Sequence, residues 1–174
     1  MKKIIIFILS LALLFSLGVY EVYKLFPMDY ADIIEKYAEE YGLNKYLVAG
    51  VIYAESGFNE KAHSGLARGL MQLTDETAFW ISEKLGINYD ADMAEDPETN
   101  IKMGCYYLSY LIDKYENTET ALAAYNGGMG NVSKWLSDEN YSADGKTLFK
   151  VPYAETEKYV ERVTLFTKIY SKLY

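Results

Sequence analysis

Apolar positions fall into two kinds of pattern along the chain. From Ile4 to Tyr20 they run without a charge, over a length that reaches a bilayer span. From Asp29 onward they recur at helical spacing. Tyr30, Ile33, Ile34, Tyr37, Ala38 and Tyr41 predict a helix over Asp29–Tyr41, with Asp29 as its cap and Gly42 closing it. Val48 to Ala54 is an unbroken apolar run inside a helix predicted over Lys45–Glu55, stopped by Ser56 and Gly57. Thr74 can cap a helix over Asp75–Leu85 that ends at Gly86. Asp96 and Pro97 open what reads as the longest soluble helix, whose stripe is Ile101, Gly104, Cys105, Leu108, Leu111, Ile112 and Tyr115. Gly104 at its centre predicts another helix packed close.

Thr118 is expected to cap a short helix through Ala121–Tyr125. The run Asn126-Gly127-Gly128-Met129-Gly130 is expected to be loop, and Val132, Trp135 and Leu136 to resume a helix. Ser137–Lys150 reads as a polar surface loop. From Glu155, the positions Tyr159, Val160, Val163, Phe166, Thr167 and Tyr170 predict a closing amphipathic helix. No segment alternates with period two, so the fold class is all-α: one helical domain over residues 28–174 behind an apolar segment over 1–27.

That first segment has two readings. Lys2 and Lys3 precede the apolar run, which fits an uncleaved signal anchor holding them on the cytoplasmic side and the domain outside, on the cell membrane. A cleaved signal peptide, with Ser16-Leu17-Gly18 as a poor cleavage site, would instead release a secreted domain.

Charge and composition narrow the partners. The net charge of −8 argues against nucleic acid. The 18 tyrosines offer flat faces with polar tips, a surface suited to stacking on sugars as well as to core and rim packing. A single cysteine, Cys105, excludes an internal disulfide, and a single histidine, His63, cannot build a metal cluster. Neither a zinc centre nor a Ser-His-Asp hydrolase is supported.

Glu55 is the candidate for chemistry. Gly57 accepts a left-handed backbone, so the helix ends just beyond the acid. The acid then sits beside apolar Val51 and Ile52, at the negative end of the helix dipole. Both disfavour its ionised form, burial first, and predict a raised pKa of the kind a general acid needs near neutrality. A solvated surface glutamate is the alternative reading. Gly65 and Gly69 imply a tight turn before Met71 and Gln72 that lets backbone come close to a ligand.

Glu55-Ser56, Gly69-Leu70-Met71-Gln72 and Ala123-Ala124-Tyr125-Asn126-Gly127-Gly128 resemble the three central motifs of the soluble lytic murein transglycosylases. Asp96-Pro97-Glu98-Thr99-Asn100-Ile101 is similar to the start of that family's long helix. Tyr153-Ala154-Glu155-Thr156 with Tyr159-Val160 and Arg162-Val163 is similar to its closing helix. The resemblance implies a lysozyme-like helical domain with a cleft for peptidoglycan glycan strands, and neither a cofactor nor a metal. It implies cleavage of the β-1,4 bond between N-acetylmuramic acid and N-acetylglucosamine, with the muramoyl C6 hydroxyl as nucleophile and a 1,6-anhydro end as product. One carboxyl can then serve as both acid and base, where most glycosidases need two.

By the same resemblance, Glu55 is the catalytic acid/base. Ser64 supports the acid or the substrate, Gln72 is a sugar-binding amide, and Met71 lines the cleft. Tyr125 positions the carboxyl, Asn126 holds the following loop, and Glu155 and Tyr159 are cleft residues. The Ser64–Gly69 loop is one residue shorter than the common pattern. Glu60 and Asp75 stand where proline is frequent, and Glu157 where arginine is. Two alternatives remain: a goose-type-lysozyme-like muramidase on the same fold, and a non-catalytic peptidoglycan-binding scaffold.

Overall fold

The computed structural model describes residues 2–174. Helix α1, Lys2–Leu25, is apolar enough to cross a membrane and buries none of its residues against the rest of the protein. Five residues separate its end from α2, Ala31–Glu40. Asp29 does not cap α2. The cap position belongs to Tyr30, whose backbone is left-handed (φ 60°) and whose side chain makes no capping bond. Gly42 does close the helix, at φ 65°, with the Leu43 N–H donating to the Ala38 carbonyl at 2.7 Å.

Helix α3, Lys45–Ser56, is the axis of the core. The Asn44 side chain accepts from the Tyr46 N–H, Gly57 ends the helix at φ 60°, and Leu47 through Ile52 are all buried. Such a run has no polar face to expose, so other elements must wrap it. The closest is the last helix, α8, Ala154–Leu173. The two backbones meet at Gly50, where a Cβ would stand 2.8 Å from the Thr167 hydroxyl and 3.1 Å from the Val163 carbonyl.

After α3 the chain makes a three-stranded antiparallel ribbon of two-residue strands: β1 (His63–Ser64), β2 (Ala67–Arg68) and β3 (Leu73–Thr74). It is an addition to a helical fold and too short to leave a period-two signature. Helix α4, Asp75–Leu85, is capped by Thr74 and closed by Gly86, on the expected bounds. A 3₁₀ turn, Ala91–Glu95, lies within the acidic stretch Asn88–Glu95 that follows α4 and leads into α5, Pro97–Tyr115.

Helix α5 is 19 residues and α8 is 20, so the closing helix is the longer of the two. Gly104 of α5 makes room for the Met71 side chain, a loop residue, and not for a helix. Helix α6 runs Thr118–Gly127 and is capped by Asn117, one residue before the expected Thr118. The glycine-rich run is not a loop: α6 continues through Asn126, Gly128 alone breaks the helix (φ 84°), and α7 starts at Met129 and ends at Leu136. The Asn131 side chain stitches the break by donating to the Gly127 carbonyl at 2.8 Å.

Asn100 fixes the ribbon to the core. It is 2% exposed. Its Oδ1 accepts the Met71 N–H at 2.7 Å, while its Nδ2 donates to the carbonyls of Ala94 (2.8 Å) and Arg68 (3.2 Å). The positions that depart from the family pattern are also engaged. Arg68 grips both Asp75 oxygens at 2.8 and 2.7 Å, and the Tyr30 hydroxyl donates to Glu60 at 2.7 Å.

Candidate active site

Glu55 occupies the last turn of α3, on the side facing a cavity of about 310 Å³. Its carboxyl is half-buried, and burial pushes its pKa up to about 7. The Tyr159 hydroxyl and the Arg162 charge, both from α8, oppose that rise. The rise itself follows the sequence expectation. The two groups that hold it near neutrality come from a helix a hundred residues downstream.

Tyr159 is 1% exposed and lies beneath the acid, so it is a floor residue. Its hydroxyl faces the Glu55 carboxyl and favours the ionised form, but it forms no hydrogen bond of good geometry with any described residue. A buried hydroxyl left in this state is costly, and a charged carboxylate is the partner that would complete it. Removing either opposing group should move the acid further up. Tyr159→Phe and Arg162→Gln are each expected to raise the Glu55 titration midpoint above about 7, measured by following the carboxyl carbon in NMR. A midpoint that stays in place or falls would show that α8 does not tune this acid.

Arg162, part of the closing-helix motif, is a further site residue that the sequence does not mark as one. It lines the cavity with Glu155 and Tyr159. The signal was present in the spacing, since 155, 159 and 162 fall at i, i+4 and i+7 on one face of α8. Among the described residues it has no carboxylate within ion-pair distance, which leaves its charge available to the cavity.

The Gly69–Gln72 turn forms the opposite wall. Gly69 has φ 79°, and a Cβ there would collide with the Ala94 carbonyl and the Asn100 amide. Gln72 holds a left-handed backbone at φ 48°, unusual for a side chain of its size. Its Nε2 donates to the carbonyls of Ala62 (2.9 Å) and Gly69 (2.8 Å), while its Oε1 is buried without a partner. The amide is therefore fixed in orientation, with one acceptor unspent.

Met71 does not line the cavity. Its side chain is fully buried against Gly104, because the preceding turn aims it into the core. Its contribution is its carbonyl, which accepts the Tyr125 hydroxyl at 2.8 Å. Tyr125 lines the cavity, but its hydroxyl is committed to that carbonyl and not to Glu55, so it pins the turn and leaves the acid to Tyr159. Asn126 is exposed on the cavity wall, and the loop-holding role assigned to it falls to Asn131. Ser64 and Glu155 line the cavity from β1 and from the first turn of α8, both exposed.

Two further depressions adjoin the first. One is lined by Gln72, Thr74, Tyr125 and Asn126 through Gly128, the other by Asn126, Gly127 and Pro152 through Thr156. Asn126 belongs to all three, so they join into one groove, a shape suited to a linear polymer. A separate depression of about 370 Å³ lies against α8 around Phe149 and Leu165, but its carboxylates are exposed and no half-buried acid faces it. The groove beside Glu55 can present a neutral acid near neutral pH, a free cation and a second carboxylate to a polar chain.

Comparison with known proteins fits this geometry. The pattern of the family described as "Transglycosylase SLT domain" matches residues 32–148. The chain is 31% identical over 150 residues to the soluble lytic murein transglycosylase of Escherichia coli (strain K12), covering 83% of this chain and 23% of that protein. It is 31% identical over 168 residues to the membrane-bound lytic murein transglycosylase C of Serratia proteamaculans, covering 82% of this chain and 47% of the relative. Among solved structures, the X-ray structure of an inactive mutant of the lytic transglycosylase Slt from Pseudomonas aeruginosa superimposes with a TM-score of 0.75 at 32% identity, over 84% of this chain and 24% of that one. The chain thus spans a quarter to a half of the length of these relatives.

Proposed function

We propose that this chain, which belongs to the transglycosylase SLT family, is a peptidoglycan lytic transglycosylase with Glu55 as its single acid/base. The observation that carries the reading is a half-buried carboxyl held at about 7 on the wall of a polar groove. Neutral Glu55 donates its proton to the oxygen between N-acetylmuramic acid and N-acetylglucosamine. The C1–O bond breaks, and positive charge develops at the muramoyl C1. The ionised carboxyl then takes the proton of the C6 hydroxyl as that oxygen bonds to C1. The product carries a 1,6-anhydro end, no water is consumed, and Glu55 returns to its neutral form. Attack from within the sugar gains the effective molarity of an intramolecular step.

Roles for the other residues follow their placement. Ser64, Gln72, Asn126 and Glu155, which line the groove, contact the strand along it. Met71 and Tyr125 hold the turn that carries Gln72. Tyr159 completes its hydrogen bond when Glu55 ionises, which steadies the base for the second step.

A membrane location is part of the proposal. Helix α1 supplies a span by length and composition, and one relative is named as membrane-bound. With Lys2 and Lys3 inside, the domain over residues 28–174 faces the extracytoplasmic side.

Glu155 gives the muramidase alternative its one concrete foothold, because a hydrolase needs a second carboxylate to activate water and Glu155 lines the same cavity. The products decide between them. Purified glycan strands digested with the full chain are expected to give fragments of anhydro mass, 18 Da below the hydrolysed ends, and Glu155→Gln is expected to leave that product unchanged. Hydrolysed ends that vanish in Glu155→Gln would establish the muramidase.

A further inference from the structure

A membrane tether followed by a flexible linker would let a domain sweep a wide volume. This chain is built differently at the exit of α1. Tyr53 donates to the Leu25 carbonyl at 2.8 Å, Tyr174 to Phe26 at 2.8 Å, and Tyr170 to Pro27 at 2.8 Å. In return Tyr23 of α1 donates to the carbonyl of Leu173, at the end of α8, at 2.9 Å. These are carbonyls that helix ends and the turn after them leave without a helical partner. The rings pack as well as bond. Phe26 lies 5.2 Å from Tyr53 and 6.2 Å from Tyr170, and Tyr23 meets Tyr174 edge-on at 5.4 Å. The exit from α1 is therefore clamped to both core helices by an aromatic collar, the residue type that prefers the boundary between lipid and water.

The clamp reaches the acid through a single helical turn. Tyr53 and Glu55 are two residues apart on α3, hence about 200° apart around its axis. One side of that turn grips the end of α1, and the other faces the groove. The acid and the collar therefore stand on opposite sides of α3, separated by about one helix diameter, ~10–12 Å.

Resting on the membrane-anchored transglycosylase reading above, we propose that this clamp fixes the groove at the membrane surface, so that the substrate is glycan still held there by a lipid carrier and not the finished wall beyond. Strand and enzyme then share one surface, and a short fixed height raises their effective concentration for each other. The same fixed height withholds the groove from strands further out.

The test uses the full chain in phospholipid vesicles and reads height and cutting separately. A donor dye on Leu66→Cys, at the exposed tip of the ribbon, reports its distance to acceptor lipids, with native Cys105 buried and unlabelled. The expected result is one short, narrow distance. Inserting 20 Gly/Ser residues between Leu25 and Phe26, which adds about 25 Å of flexible reach, should lengthen and broaden it. The milder pair Tyr53→Phe and Tyr170→Phe, which keeps the rings and removes two clamp bonds, should broaden it without lengthening the chain.

For cutting, the unmodified chain is expected to cleave lipid-linked strands in its own bilayer at least about tenfold faster than isolated sacculi. The insertion should narrow that ratio to about threefold or less by raising the rate on sacculi. Equal rates on both substrates, or a distance already broad and unmoved by the insertion, would overturn the proposal. A chain at the expected height that cuts neither substrate would leave the clamp intact but sink the transglycosylase reading, and with it the substrate assigned here.

Discussion

Replacing Glu55 with Gln is expected to abolish strand cleavage while making the protein more stable above neutral pH. The first effect follows from the proposed mechanism, which asks one carboxyl to do two jobs. Gln can neither give a proton to the glycosidic oxygen nor accept one from the C6 hydroxyl, so both steps fail together. A loss of at least about 10³-fold in kcat is expected. Glycan binding should survive, because the amide keeps the shape of the carboxyl and the groove is formed by other residues. A non-catalytic scaffold would show binding without cleavage in both forms.

The stability effect has a definite sign. The Glu55 pKa rises from 4.5 in the unfolded chain to about 7 in the fold. Below 4.5 the group is neutral in both states and costs nothing. Between 4.5 and about 7 the unfolded chain ionises first, so folding stability is lost as pH rises, and above about 7 the whole cost is present. A shift of this size corresponds to a ceiling of about 3 kcal/mol, which the partial exposure of Glu55 reduces to ~1–2 kcal/mol. Thermal unfolding of Glu55→Gln against the unmodified chain should therefore show a gain at pH 8 that disappears by pH 4. Activity carries the same imprint. Because the proposed first step needs the neutral acid, kcat/KM should fall as pH rises through about 7. A variant no more stable than its parent at pH 8 would mean that Glu55 is solvated and no more than a surface residue.

How much of this was legible in the sequence depends on the range of the interaction. Helices α3 and α4 end where expected because their punctuation is local: Gly57 and Gly86 take left-handed backbones, and Thr74 bonds the N–H three residues on. The burial of Glu55 was legible from Val51 and Ile52 beside it. Three errors share another cause. Gly127 and Gly130 look like helix breakers, yet packing of α6 and α7 overrides propensity and leaves Gly128 as the only break. Gly104 announced a close approach correctly, but sequence spacing has no way to say whether a helix or the Met71 side chain fills the gap. Tyr125 and Tyr159 were both legible as site residues. Which hydroxyl meets Glu55 depends on Met71 offering its carbonyl to Tyr125, a contact across 54 positions. The three-stranded ribbon escaped because two-residue strands carry no periodicity, and its shape is held from outside by Asn100.

That dependence yields the second large effect. Asn100→Asp changes one atom's chemistry in a site that uses both ends of the amide. The Oδ1 that accepts from the Met71 N–H can be kept, but the Nδ2 that donates to the Ala94 and Arg68 carbonyls becomes an acceptor facing two acceptors. At 2% exposure no solvent relieves it. Each abandoned carbonyl costs about 1–3 kcal/mol and the buried charge adds to that, so a loss of ~3–5 kcal/mol is expected at neutral pH. The Asp carboxyl can escape by staying protonated, which restores one donor and means that part of the lost stability should return as pH falls. Asn100→Leu, which removes the polar atoms without adding charge, should cost nearly as much at every pH and show no such recovery. In both variants the Gly69–Gln72 turn loses its anchor, so cleavage should fall even where the fold persists, with Gln72 no longer held against the groove. Chemical denaturation at pH 5 and pH 8, paired with turnover, separates these outcomes. If Asn100→Asp unfolds at the same denaturant concentration as its parent at pH 8, the ribbon is held by its own hydrogen bonds, and Asn100 is not what carries Gln72 to the acid.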